Sequence, residues 1–479
     1  MAITLLYVAH PIHTEVVANV KSRDEILCFL FIILALYLLL QYINSSKKWI
    51  LGLGMLAYFL SLLTKEYGIT MLAVIPIMLH VYGSDEMSGK RNLSLTVLFG
   101  LVAGLYLIIR SSVMDNLAFD QEMDIINNSL AGASSFSERI ATAILILGKY
   151  IGLLIFPHPL SFDYSYNQIP IVTWTNPGAI LSFLLYAVLG VAGILAAKKR
   201  EILAFGIAFY LFSLVIVSNL FVEIGVTLAE RVIFMPSLGF CVVVTLLLAK
   251  VTRFSELTVK GRIPFYSIIV ITLILYSFKT YSRNKEWENN FTLFTADITA
   301  SPNSARTHFS LGSMLNTNSE FETNPEKKKA MLLKAIESLG RCLEIYPEFS
   351  AAWYNMGVAY YSLGDEKNAL ISYDNCLKIA PNDKQALNNS GVIYFNNKEY
   401  DTAMGYFLKT VKAYPNFPDP YANIGAVYHN QGNYQEALKY YNKALEFNPN
   451  NRMVIGNLAK LYNSLGDVEK SNYYSSRSQ

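Results

Sequence analysis

The residues of this sequence with chemical capacity sit in short polar patches between apolar runs: His10, His13 and Glu15, then Arg23 and Asp24, Lys65 and Glu66, His158 and Asp163, and Glu230 with Arg231. A cation at a helix end can hold a phosphate, a guanidinium bidentately, so Arg231, Arg23 and Lys65 are the candidate phosphate-binding residues. A hydroxyl nucleophile needs a general base, and near a membrane surface a carboxylate serves. The candidates for that catalytic role are Glu15, Asp24, Glu66, Asp163 and Glu230. His10, His13 and Glu15 are of metal-ligand type, but Pro11 breaks the helix that would align them, so no metal site is expected. For any one of these residues the competing role is to anchor a helix end among lipid headgroups.

What positions them follows from composition. With 53% hydrophobic and only 16% charged residues in 479, the chain is not that of a soluble globular protein. Long apolar runs continue to about Tyr281; beyond it Asn, Lys, Tyr and Glu dominate. This divides the chain into a polytopic membrane domain, 1–281, with an extracytoplasmic loop region at 111–177, and an extracytoplasmic repeat domain, 288–479. Runs long enough to cross a bilayer, or nearly so, are Ile26–Ile43, Trp49–Leu63, Tyr67–Tyr82, Leu93–Ile109, Ala179–Ala197, Ile202–Phe221, Val232–Ala249 and Ile263–Phe278.

A further apolar run, Ala141–Phe156, carries Lys149 and ends in Pro157-His158-Pro159. Short basic loops mark the cytoplasmic side. If this run lies flat as an interfacial amphipathic helix, the links at Lys47-Lys48, Lys90-Arg91, Lys198-Lys199-Arg200 and 250–262 all face the cytoplasm. The polar patches then gather on the other face, and charges collected at helix ends on one face argue for a site. The net charge of +3 and the lack of a basic tract make nucleic acid an unexpected partner. The apolar start, MAITLLYVA, reads as the last half of a helix, so the chain is expected to begin inside a longer protein.

The second region is a repeat array. Gly357, Gly391 and Gly425 are 34 residues apart, as are Pro347, Pro381, Pro415 and Pro449, which is the tetratricopeptide period. Repeats run 350–383, 384–417 and 418–451, with glycine at position 8, Ala369, Ala403 and Ala437 at position 20, and Tyr373, Phe407 and Tyr441 at position 24. An earlier repeat around Gly312 and Ala335 carries an insertion at 318–329, expected as an exposed loop, and a partial unit from Arg452 closes the array. Cys342 and Cys376 fall at position 27, where small residues let helices cross, and are read as packing residues. Asn355, Asn389, Asn423 and Asn457 share position 6; a ladder of side-chain amides can hold the backbone of an extended polypeptide without reading its sequence.

Several motifs together resemble the transmembrane and tetratricopeptide repeat-containing protein family: His10-Pro11-Ile12-His13-Thr14-Glu15-Val16, Arg23-Asp24-Glu25, Thr64-Lys65-Glu66, 159–165, and Ala229-Glu230-Arg231 with Pro236-Ser237, followed by the repeats. The resemblance implies an all-α, GT-C-like membrane domain followed by an α-solenoid. It implies transfer of a sugar, mannose in this family, from a polyprenyl-phosphate carrier to Ser/Thr hydroxyls of extracytoplasmic polypeptides. The donor is then a polyprenyl-phosphate-linked sugar, with no further cofactor required by the sequence. Partners are the lipid bilayer and extended polypeptide acceptors or proteins bound by the repeats. The asparagine column resembles that of the O-GlcNAc transferase superhelix. Such a protein is expected in a bacterial inner membrane with periplasmic repeats, or in the endoplasmic reticulum membrane with lumenal repeats if the chain is eukaryotic. In GT-C enzymes the catalytic carboxylate lies in the first extracytoplasmic loop, upstream of this chain's start, so the catalytic residue stays unassigned. The alternative is a membrane-anchored scaffold whose repeats recruit extracytoplasmic proteins.

Overall fold

The computed structural model describes residues 1–83, 89–114, 124–254 and 259–478. Parts of the expected loop at 111–177 and of the basic link at 250–262 lie outside the described residues. All regular elements among the described residues are helical. They form two compact units, Met1–Thr307 and His308–Gln479.

In the first unit the helices are α1 (Ala2–Ala9), α2 (Thr14–Ala18), α3 (Arg23–Ser45), α4 (Lys48–Thr64), α5 (Met71–Tyr82), α6 (Gly89–Met114), α7 (Phe136–Ile155), α8 (Pro177–Lys198), α9 (Ile202–Leu214), α10 (Pro236–Val251), α11 (Val259–Glu286) and α12 (Asn290–Ala300). The stretches Val20–Ser45, Gly89–Val113, Pro177–Lys198 and Lys260–Glu286 are long and apolar enough to cross a membrane; Lys48–Thr64, Glu66–Tyr82, Ile202–Leu214 and Pro236–Val251 are shorter apolar helices. Leu101, Leu181, Val188 and Ile271 stand exposed, as lipid-facing side chains do. The sequence places the change of region at 281–288, but α12 stays with the membrane unit, tied by the ion pair of its buried Asp297 to Arg283 of α11.

Two apolar runs are cut short. Ile202–Phe221 is helical only to Leu214; the chain then turns, and at Asn219 it is left-handed (φ 58°), the Asn219 side chain accepting from Ile224 N and donating to Val226 O. Val232 belongs to a 3-10 turn, Glu230–Ile233, and the helix proper restarts at Pro236, whose missing N–H costs nothing at a first position. Close helix crossing is built in where α9 meets α10: a Cβ on Gly239 would lie 2.5 Å from the Gly206 carbonyl oxygen.

Helix α7 is the one read from the sequence as interfacial. Ser135 caps it, its hydroxyl accepting from Glu138 N, and Ala143, Ile146, Leu147, Tyr150 and Leu154 are buried on one side while Lys149, Ile155 and Phe156 are exposed. At its start Arg139 pairs with Glu223 at 2.5 Å; just past its end Ser161 N donates to Glu230 at 2.6 Å. Both acceptors lie in the single segment joining α9 to α10.

The second unit takes in the repeat pairs α13 (Ala305–Phe321, whose first turn falls in the membrane unit) with α14 (Pro325–Ile345), α15 (Ser350–Ser362) with α16 (Glu366–Ile379), α17 (Lys384–Asn396) with α18 (Tyr400–Ala413), α19 (Pro418–Asn430) with α20 (Tyr434–Phe447), and α21 (Arg452–Ser464) with α22 (Val468–Ser478). A Cβ at position 8 would strike the ring at position 24 of the same repeat: Gly357 meets Tyr373 at 2.5 Å, Gly391 meets Phe407 at 2.5 Å and Gly425 meets Tyr441 at 2.7 Å. The position-20 alanines and Cys342, Cys376, Thr410 and Ala444 at position 27 are fully buried, as close crossing requires. The insertion at 318–329 is not the expected loop. It lengthens α13 and α14, leaving only residues 322–324 between them, because Asn324 caps the second helix through Glu326 N and Lys327 N and Pro325 fits its first position.

Candidate active site

The polar patches converge through helix ends. Lys65 follows α4, and its Nζ bridges Asp24 Oδ2 at 2.9 Å and Glu25 Oε1 at 2.6 Å, both in the first turn of α3. Glu15, in α2, is buried; its Oε1 takes Arg231 Nη1 at 2.6 Å and its Oε2 the Arg231 backbone N–H at 3.0 Å. Nε and Nη2 of Arg231 make no hydrogen bond among the described residues. The charges of Lys65, Glu25, Glu66 and Arg231 all act on the Tyr67 hydroxyl, so the two ion-paired groups border one another. Arg23 is exposed and joins neither. Glu66 stands at the rim, 3.4 Å from Arg110.

Glu230 and Asp163 go elsewhere. Glu230 is fully buried: its Oε1 accepts from Ser161 N at 2.6 Å and from the Tyr164 hydroxyl at 2.8 Å, and its Oε2 has no partner among the described residues. Burial pushes its carboxyl up to about 8, against the pull of Arg283 and the two donors. Asp297 accepts from Arg283 at 3.0 Å and from Phe162 N at 3.2 Å, yet burial outweighs the pairing and raises it to about 6. Asp163 is buried by Ser165 Oγ at 2.9 Å and Ser304 Oγ at 3.0 Å, with Arg306 at 3.7 Å. Glu230 and Asp297 thus hold the loop that follows α7 in place through Ser161 N and Phe162 N.

The histidines have structural partners. His10 Nε2 lies 2.9 Å from Leu154 O and its Nδ1 accepts from Ile12 N; His13 Nε2 lies 2.8 Å from Ser237 Oγ. Across the 3-10 turn Pro11–His13 their rings come within 5.7 Å of each other, each turned to its own partner.

Of the five carboxylates offered as bases, the side chains of Asp24 (41% exposed) and Glu66 (49%) remain open, whereas Glu15, Asp163 and Glu230 are closed off. Sequence reasoning missed Arg283, one of several charges between Lys279 and Glu288 with nothing to single it out, and Asp297, a lone carboxyl with no motif around it. It also passed over Glu25, although adjacency to Asp24 in the first turn of a helix was the signal. In the array, Asn355 Nδ2 turns back to Ala351 O at 2.8 Å, Asn389 Nδ2 approaches the Tyr373 hydroxyl at 3.4 Å and Asn423 Nδ2 donates to Asn388 Oδ1 at 2.9 Å. All four column residues, Asn457 included, are half-buried.

Helices that can cross a membrane, joined to this array, define a multi-pass membrane protein with tetratricopeptide repeats: residues 350–383 and 418–451 match one tetratricopeptide repeat family model, and 385–416 match another. The homologues are the TMTC protein O-mannosyl-transferases and their kin, as the motifs suggested. Protein O-mannosyl-transferase F38B6.6 of Caenorhabditis elegans is 28% identical over 66% of this chain and 43% of its own length. Mouse protein O-mannosyl-transferase TMTC3 is 25% identical over 78% of this chain and 42% of its own length. Mouse TMTC4 is 28% identical over 65% of this chain and 46% of its own length. The chain thus spans less than half the length of these curated relatives.

Proposed function

We propose that this chain forms part of a membrane glycosyltransferase that moves a sugar, mannose by the names of its relatives, from a polyprenyl-phosphate carrier to Ser/Thr hydroxyls of polypeptides held by the repeats. The observation that carries the reading is the knot of Glu15–Arg231 and Asp24–Lys65–Glu25, drawn from segments far apart in sequence onto one set of helix ends. A helix bundle that only anchors a scaffold has no use for buried ion pairs, which are costly unless well paired.

In this reading Arg231 is the principal phosphate ligand, with Lys65 of the bordering pair as the second cation and the exposed Arg23 free to swing in: Glu15 fixes one edge of the guanidinium and its remaining N–H groups serve the donor. Asp24 and Glu66 are the carboxylates a hydroxyl can reach. The face that holds the knot is extracytoplasmic, comprising 1–25, 64–66, 111–177, 222–231 and 282–479, with the repeats in the periplasm or the endoplasmic reticulum lumen. Support for α7 lying flat comes from Arg139 and Ser161, near its two ends, both bonding to the α9–α10 segment. A 20-residue helix is about 30 Å long, so a crossing α7 would drag that short segment through the bilayer. The test is Arg231→Lys in the full-length protein: transfer to an acceptor peptide should disappear, since an ammonium cannot hold Glu15 and phosphate together, while expression and melting persist. Undiminished transfer would leave Arg231 a headgroup anchor.

A further inference from the structure

A second place on the membrane unit has the chemistry of a phosphate-bearing lipid site, and it is separate from the knot. A cavity of about 420 Å³ opens beside the C-terminal half of α7, walled by Lys149, Leu153, Phe156, His158, Tyr164 and Leu228 among others. Its lining carries the cation of Lys149 with the neutral polar groups of His158, Tyr164 and Gln168, and no carboxylate among the described residues. Lys149 makes no hydrogen bond or ion pair among the described residues, and Lys279 of α11 reaches His158 Nδ1 at 3.4 Å with no carboxylate on it. Tyr164 donates its hydroxyl inward to Glu230, which screens that carboxyl from the cavity. The knot, in contrast, sets Asp24, Glu25 and Glu15 against Lys65 and Arg231 and already holds its charges in pairs.

The depth is right for a headgroup. Along α11 the lipid-facing apolar surface ends at Phe278, 75% exposed, and Lys279 follows at once, with Tyr281 exposed one turn-fraction later under Lys285 at 4.7 Å. That order of apolar, cationic and aromatic residues marks the boundary between hydrocarbon and headgroups. On the apolar side of the boundary lies a slot of about 250 Å³ between α1, α7, α10 and α11, walled by Leu154, Ile155, Val244, Ile268, Thr272 and Tyr276. Tyr276 is three residues before Lys279, and Ile155 adjoins Phe156 of the cationic cavity, so slot and cavity flank the same end of α7.

We infer that this end of α7 binds the phosphate of a membrane lipid, with Lys149, Lys279 and His158 on the headgroup and one hydrocarbon chain in the slot. The shared chemistry is a phosphate carried on a chain, from an isoprenoid phosphate or a two-chain phospholipid.

The experiment uses the whole chain, purified in detergent, and measures binding of farnesyl phosphate, farnesol, dioctanoyl phosphatidic acid and inorganic phosphate by native mass spectrometry, with a melting curve for each protein. Wild type should prefer each lipid phosphate to farnesol, and Lys149→Gln/Lys279→Gln should lose about tenfold in affinity for lipid phosphate, as expected for charge-assisted hydrogen bonds removed. The doubly Arg-substituted protein should restore it. Thr272→Trp, filling the slot, should weaken the lipids and spare inorganic phosphate. The ratio of farnesyl phosphate to phosphatidic acid affinity tells the two sources apart. Equal binding of farnesyl phosphate and farnesol by wild type, an unchanged preference in the Gln variant, or inorganic phosphate bound as tightly as the lipids would each overturn the site. Lipid-phosphate binding that falls with Arg231→Lys and not with the lysine variants would overturn it too, while leaving the transferase reading standing.

Discussion

Glu230 offers a test of the geometry behind α7 that needs no substrate. Its carboxyl titrates near 8 when folded, against 4.5 for a free one, because it is fully buried and its Oε2 has no partner among the described residues. Below pH 4.5 the group is protonated whether the chain is folded or not. As the pH rises the unfolded chain gives up its proton and the folded one keeps it, so stability falls until the pH passes about 8, where the loss is complete. The whole effect is on the order of 5 kcal/mol, and roughly 2 kcal/mol of it falls between pH 6.5 and 8.5. Asp297, at about 6, has largely titrated before that window opens. For a unit of this size the loss should lower the melting temperature by a few degrees, about 2 °C or more per kcal/mol. Glu230→Gln keeps an oxygen for Ser161 N and Tyr164 but cannot ionise. Its melting temperature should start lower, because a buried amide N–H gains no partner, and should stay flat across the window. Fluorescence-monitored melting of both proteins in detergent decides the matter. If the variant falls with pH as steeply as wild type, Glu230 is not the buried carboxyl described, and its packing against the loop after α7 must be wrong.

The remaining predictions are quickly stated. Ser137→Cys, in the first turn of α7, and Asn167→Cys, past its other end, both exposed, should react alike with an impermeant maleimide from outside; reaction at one alone would mean that α7 crosses the bilayer. Gly391→Ala should cost about 1–3 kcal/mol in the repeat array, since its Cβ would sit 2.5 Å from the Phe407 ring, and hydrogen exchange in α17 and α18 should rise before that of α21 and α22. Asn355, Asn389, Asn423 and Asn457 changed to Ala one after another should weaken binding of an extended Ser/Thr-rich peptide stepwise, by roughly 0.5–1.5 kcal/mol each. Asn457→Ala gives the cleanest reading, because its amide has no hydrogen bond within the array among the described residues; unchanged peptide affinity there would end the ladder idea.

The repeats were legible because a one-dimensional period writes itself into sequence: a glycine every 34 residues reports an aromatic ring that leaves no room for a Cβ. The apolar helices were legible for a similar reason, since lipid demands unbroken hydrophobicity. Their ends were not. Past the end of α9, Asn219 folds the chain by local side-chain bonds that hydropathy cannot register, and Asn324 with Pro325 turns an expected loop into two longer helices. Within the site, sequence reasoning found both members of the Arg231–Glu15 pair without pairing them, since they lie 216 residues apart. It grouped Glu230 with Arg231 because they are neighbours, yet a 3-10 turn points them to different partners. Burial is what sorts five similar carboxylates into open and closed ones, and burial depends on which loops fold over them.

The lengthened first hairpin gives the array a direction of growth. Helices α13 and α14 run 17 and 21 residues where those of the three complete repeats that follow, α15 to α20, run 13 or 14, an overhang of about 6–10 Å. A duplicated unit of standard length inserted after it, anywhere among residues 350–451, would meet neighbours cut to its own measure. One placed before it would face a taller wall with part of that wall left uncovered. Lineages that lengthen this groove should therefore have done so by copying the later repeats, and the first hairpin should persist as a fixed starting block however many copies follow.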